Sequence, residues 1–157
     1  MIVAAHSGTG KTTLARMFPE KMVDFVCMPY KYHLPENIPY DESIKASSDL
    51  VMRDFWVFDY VTAIKEELKH GKTLLIPPAW NVLLHLEMDN IPYLLCYPQR
   101  SAKEVYRQRY ISRGNSKEFL SIFIDEWDNF IDTMEADTYG QHIILEPHQF
   151  LSDVIIN

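Results

Sequence analysis

Residues 4–15 of this 157-residue chain read Ala-Ala-His-Ser-Gly-Thr-Gly-Lys-Thr-Thr-Leu-Ala. Gly8, Gly10, Lys11 and Thr12 have the types and spacing of a phosphate-binding glycine loop. Such a loop works because a tight turn aims successive backbone amides at phosphate oxygens. The two glycines let the backbone approach the ligand. The Lys11 ammonium reaches the β- and γ-phosphates, and the Thr12 hydroxyl is placed to hold Mg²⁺. Ser7, Gly8, Thr9, Gly10, Lys11, Thr12 and Thr13 form the expected binding set for ATP or another nucleoside triphosphate. The pattern's first glycine is replaced by Ala5. Either that position needs no glycine-only dihedral, or the preceding strand ends one residue later.

Such a loop needs a strand before it and a helix after it, and the sequence supplies both. Residues 1–5 form a short apolar run, and residues 11–18 read as a helix limited by Pro19. Further apolar runs at 22–28, 72–77, 91–98 and 141–147 read as strands. Among the intervening helical patterns, Val57, Val61, Ile64 and Leu68 share a face, and Gly71 follows as a cap. Ser101 and Glu104 have the spacing of a capping box. Leu120, Phe123, Ile124, Trp127, Phe130, Ile131 and Met134 form a core-facing stripe on one helix, and residues 148–156 suit a last short one. Five short strands separated by helices imply a parallel sheet covered on both faces. The least regular stretch, about 29–56, lies between the second and third strands and has the character of a functional insertion.

Bulk properties narrow the function. The length suits one domain spanning 1–157. The net charge of −7 argues against general nucleic-acid binding. Two cysteines, Cys27 and Cys96, sit in separate apolar runs, and the six histidines have no zinc-site spacing. No segment has the length and apolarity of a membrane span or the pattern of a signal peptide, so a cytoplasmic location is expected. A GTPase would carry an Asn-Lys-x-Asp base-reading motif, which is absent. A motor-type ATPase would end a strand in an acidic residue, whereas the third and fourth apolar runs end in proline. A small kinase remains, needing only a cradle, an acceptor pocket and mobile arginines.

Residues 4–15, the insertion after the second strand, and Tyr-Pro-Gln-Arg-Ser-Ala-Lys-Glu-Val-Tyr-Arg-Gln-Arg-Tyr-Ile-Ser-Arg-Gly-Asn at 97–115 resemble small P-loop nucleotide kinases of the adenylate-kinase type. The similarity is greatest to compact phage- or prophage-encoded members. The resemblance implies an α/β P-loop NTPase fold, a three-layer sandwich with a five-stranded parallel sheet in the order 2-3-1-4-5. It also implies an acceptor site in the 29–56 insertion and a short lid at about 107–118. Arg109 and Arg113, four residues apart, share a helix face and are the expected lid arginines over the γ-phosphate; Arg107 points the other way. Arg53 is the candidate for the acceptor's phosphate. Tyr30 and Tyr32 are candidates for stacking on its base, with Trp56 read as core. His148, after the fifth strand, is a candidate near the donor's base. Asp24 is expected inside the second strand, which leaves the ends of the second and third strands without a carboxylate.

Two functions fit this reading. One is ATP- and Mg²⁺-dependent phosphoryl transfer to a small acceptor, with a nucleoside monophosphate or related nucleotide favoured because its phosphate oxygen is already ionised. A hydroxyl acceptor would need a carboxylate, and Asp24 is the one candidate. The other is a nucleotide-binding regulatory or interaction protein that keeps the cradle without efficient transfer. Both leave the oligomeric state open.

Overall fold

The computed structural model describes residues 1–34 and 50–156. Much of the acceptor insertion, residues 35–49, therefore lies outside the described residues. Five strands form one sheet: β1 (Ile2–Ala5), β2 (Met22–Asp24), β3 (Thr73–Ile76), β4 (Leu94–Pro98) and β5 (Gln141–Leu145). All neighbours are parallel, and the order is β2-β3-β1-β4-β5. β1 lies at the centre, with Val3 opposite Leu75 on one side and Leu94 on the other. That position explains why every β1 residue is apolar and fully buried.

Alternation along the strands splits the interior into two cores. Ile2, Ala4, Leu74, Ile76, Leu95 and Tyr97 pack with buried residues of α3 (Trp56–Leu68), α4 (Trp80–Met88), α5 (Lys103–Ser112) and α7 (Trp127–Glu135). Val3, Ala5, Leu75 and Cys96 pack instead with Leu14 of α1 (Lys11–Met17) and with Leu151, which precedes α8 (Ser152–Ile155). Both faces of the sheet are thus covered by helical layers. Among the described residues, the two remaining short helices are α2 (Met28–Lys31) and α6 (Lys117–Leu120). Among the described residues, no helix is long and apolar enough to cross a membrane.

Local expectations fare unevenly. Gly71 adopts φ 75° just past α3, and its amide bonds the Leu68 carbonyl, as a helix-ending glycine should. The Ser101–Glu104 capping box does not form. Arg100–Ala102 makes a 3₁₀ turn leading into α5, and Glu104 instead accepts from Arg107 Nε at 3.1 Å and Gln108 Nε2 at 2.8 Å. The single helix expected over 117–134 is divided into α6, a π turn at Ser121–Asp125, and α7. Its apolar stripe nevertheless packs into one core throughout. The second strand is shorter than its apolar run. Asp24 closes β2 rather than lying inside it, so a strand end does carry a carboxylate.

Candidate functional site

The glycine loop leaves β1 at the centre of the sheet. Ala5 is the last β1 residue, paired with Cys96, and its methyl group belongs to the core that includes Leu14 and Leu151. A residue in extended strand conformation has no need of glycine, which accounts for the departure from the motif. Gly8 and Gly10, by contrast, adopt φ 81° and 97°, where a side chain would be strained. A Cβ on Gly8 would also lie 2.8 Å from the Tyr110 ring.

Five consecutive carbonyls of this loop are bonded. Ala5 O and His6 O accept from Lys11 Nζ at 2.6 and 3.1 Å, and His6 O also accepts from Thr9 Oγ1 at 2.8 Å. Ser7 O accepts from the Tyr110 hydroxyl at 2.8 Å, and Gly8 O from Arg109 Nη1 at 3.4 Å. Thr9 O accepts from the Leu151 amide at 2.9 Å. In a trans peptide the N–H points opposite to the C=O, and no peptide among the described residues is cis. Fixing the carbonyls of Ser7, Gly8 and Thr9 therefore turns the amides of Gly8, Thr9 and Gly10 the other way. Among the described residues these three amides donate to no acceptor. Consecutive amides aimed together form an anion-binding concavity.

Lys11 and Thr12 open α1 beside that concavity, and both are partly buried. Thr12 Oγ1 donates to Asp24 Oδ2 at 2.5 Å, joining the loop to the end of β2. Among the described residues no cluster of three or more His, Cys, Asp or Glu is arranged around a metal position. The Thr12–Asp24 pair offers two hard oxygen donors beside the loop, the donor type that suits Mg²⁺. On the flank of α1, Gly10, Thr13, Leu14, Phe150 and Ser152 line a pocket of about 210 Å³.

His6, which the sequence reading passed over, is fully buried. Its ring lies 5.6 Å from Trp127, 5.8 Å from Phe123, 5.9 Å from Phe130 and 6.1 Å from Tyr106, centroid to centroid. Burial, aided by the Lys11 charge, lowers its pKa to about 3, so the imidazole is neutral across the physiological range. Burial likewise pushes the Cys96 thiol up to about 12, against the opposing effect of Lys11, and leaves it inert.

The expected lid residues divide. Residues 107–118 run through the end of α5, a short turn with Gly114 at φ 73°, and the start of α6. Arg109 reaches the loop. Its guanidinium lies 4.5 Å from the Tyr106 ring and 4.1 Å from Phe150, and also donates to Pro147 O at 2.9 Å and Gln149 O at 3.5 Å. Arg113 caps the C-terminus of α5, is exposed, and makes no ion pair among the described residues. Arg107 pairs with Glu104 at 3.1 Å. His148 is exposed and lies outside the pocket lining; its chain neighbours supply the carbonyls that hold Arg109.

Of the residues expected to receive an acceptor, Tyr30 packs against Phe25 and Tyr60, with centroids 5.8 and 5.2 Å away. Tyr32 bridges Met52, and Lys31 lies 5.3 Å over its ring. Arg53 Nη2 lies 3.4 Å from Asp59 Oδ2, and Nη1 lies 3.5 Å from Pro29 O. Trp56 is buried in the core, as expected. Asp24 belongs to the Thr12 corner by geometry, and so stands between the cradle and this region. Of the residues missed from sequence, Tyr110 and Phe150 matter most: both contact the loop from distant parts of the chain. No family model matches this chain, and no curated protein matches it.

Proposed function

We propose that this protein is a P-loop kinase that transfers the γ-phosphoryl group of ATP, or another nucleoside triphosphate, to a small acceptor, with a nucleoside monophosphate or related nucleotide favoured. The observation that carries this reading is the loop from Ala5 to Gly10, in which the bonded carbonyls of Ser7, Gly8 and Thr9 turn the amides of Gly8, Thr9 and Gly10 away from those partners, without acceptors among the described residues. The sheet order and the Lys11 and Thr12 positions agree with it.

In this mechanism the loop amides and Lys11 hold the triphosphate, while Ser7 and Thr13 flank its path. Thr12 and Asp24 would hold Mg²⁺, which when bound neutralises phosphate oxygen charge. An oxygen of the acceptor phosphate attacks the γ-phosphorus, the bond from that phosphorus to the β-bridging oxygen breaks, and the nucleoside diphosphate leaves. Arg109 and Arg113 neutralise charge on the transferring group. Tyr30, Tyr32 and Arg53 receive the acceptor, and the pocket lined by Phe150 and Ser152, near His148, receives the donor's base.

The placement of Asp24 favours a second reading, a hydroxyl acceptor. In that reading the carboxylate at the end of β2, which accepts from Thr12, would take the hydroxyl proton as the new P–O bond forms. It also removes one motive for a binding-only protein, the absence of a strand-end carboxylate. The deciding experiment incubates the protein with γ-labelled ATP, Mg²⁺ and a panel of nucleoside monophosphates and nucleosides. Label in a monophosphate acceptor supports the first reading, and label in a nucleoside the second. Tight ATP binding with no labelled acceptor supports a regulatory binding protein.

A further inference from the structure

We propose that Tyr110 is a positioning residue for polyphosphate binding: its hydroxyl sets the direction of the loop amide that faces the phosphates. This inference rests on the phosphate-cradle reading above. Tyr110 is fully buried on α5, more than a hundred positions along the chain from the loop it holds. Its hydroxyl donates to Ser7 O at 2.8 Å, and its ring closes on Gly8 so tightly that a Cβ there would lie 2.8 Å away.

The consequence follows from peptide geometry. The Ser7 carbonyl and the Gly8 amide belong to one planar trans peptide, so anchoring the oxygen toward α5 aims the N–H away from it. The residue before it on the helix, Arg109, does the same for the next peptide through Gly8 O, though at 3.4 Å its bond is longer. Glycine makes this anchoring necessary. With φ 81° and no side chain, Gly8 permits its flanking peptides to rotate more freely than any other residue would. An unanchored peptide could flip and present a carbonyl to the phosphates. Burial of the Tyr110 ring holds its hydroxyl in the protonated, donating form; burial raises its pKa far above the physiological range.

The hydroxyl of Tyr93 supplies an internal comparison. It too is a buried residue's hydroxyl with an oxygen partner, Asp137 Oδ2 at 2.6 Å, but it stands away from the loop beside β5. Removing either hydroxyl costs one hydrogen bond; only one of them orients a cradle amide.

The test measures inorganic pyrophosphate and ADP binding by calorimetry, with melting temperature, for the parent, Tyr110→Phe, Tyr93→Phe and Tyr110→4-aminophenylalanine. The last variant keeps a donor at the ring's far end. Tyr110→Phe is expected to weaken both ligands about fivefold to tenfold, Tyr93→Phe to leave them unchanged, and the 4-amino variant to recover most of the loss. Equal affinity in folded Tyr110→Phe, or an equal loss in the 4-amino variant, overturns the inference while leaving the cradle reading intact. A parent that binds neither ligand overturns the cradle reading, and this inference with it.

Discussion

The two ends of the proposed site are built differently. At the cradle, five consecutive carbonyls are tied by Lys11, Thr9, Tyr110, Arg109 and the Leu151 amide, which come from three separate parts of the chain. On the proposed acceptor side, the described residues are joined by the packing of Tyr30 on Phe25 and Tyr60, by Lys31 over the Trp56 ring, by the Tyr32–Met52 bridge with two backbone bonds of 2.9 Å flanking it, and by the long contacts of Arg53. Val51, Met52 and Phe55 are exposed there, and Phe55 adopts φ 58°, a conformation that strains a bulky side chain. The contrast teaches a division of labour. A triphosphate is the same in every donor nucleotide, so its receptor gains from being fixed in advance. An acceptor site must match one particular molecule, and its described part is held by side-chain packing and a short bridge rather than by a run of anchored carbonyls.

The largest effect should come from the lid arginines. Arg113→Ala is expected to lower turnover about 10³-fold while leaving ATP affinity nearly unchanged, since an arginine at a transferring phosphoryl group acts mainly in the transition state. Arg109→Ala should lower both, because Arg109 is also built into the cradle; Arg107→Ala should be nearly silent. Steady-state kinetics beside calorimetry separate the cases, and equal losses at all three positions would indicate structural damage instead. Next in size, Lys11→Ala should weaken ATP binding about a hundredfold, the scale of a charge-assisted hydrogen bond, with no loss of secondary structure by circular dichroism. Parent-like affinity would remove the lysine from the site.

His6 gives the rigid end a pH signature. Its pKa is about 3 in the folded chain and near 6.5 unfolded, so above pH 6.5 it is neutral in both states and has no effect. As pH falls through that window, the unfolded chain takes up a proton that the folded chain refuses, and stability drops. Between pH 6.5 and 5 the loss from His6 is about 2 kcal/mol. Denaturant melts of the parent and His6→Phe across this range check it: the acid-side slope should be shallower in the variant. An unchanged slope would assign the acid sensitivity to other groups. The smallest effect belongs to the proposed acceptor end. Arg53→Ala should raise the acceptor's KM about tenfold, while its exposed pairing with Asp59 contributes little to stability. A KM change confined to ATP would move Arg53 out of the acceptor site.

What the sequence disclosed and what it hid follow one physical rule. The strand runs and the glycine loop are local patterns, and the parallel arrangement follows from strands too apolar to leave a face in water. Val57, Val61, Ile64 and Leu68 announced the buried face of α3 in the same way. The end of β2 was hidden because the apolar run continues past Asp24 through Phe25, Val26 and Cys27, although pairing with β3 stops at Asp24 and Leu75. The capping box failed because a 3₁₀ turn begins before it. Tyr110 and Phe150 carried no local signal at all; a tyrosine that bonds a carbonyl 103 positions away is visible only once β1 and α5 are side by side.

The central claim is that the amides of Gly8, Thr9 and Gly10 receive the phosphates of a nucleoside triphosphate. Two-dimensional ¹H–¹⁵N NMR of the labelled protein, titrated with ATP and Mg²⁺, tests it residue by residue. These three amide signals are expected to shift together, saturate with one affinity, and lose that response in Lys11→Ala. Saturable shifts confined to other parts of the chain, with these three amides unmoved, would contradict it.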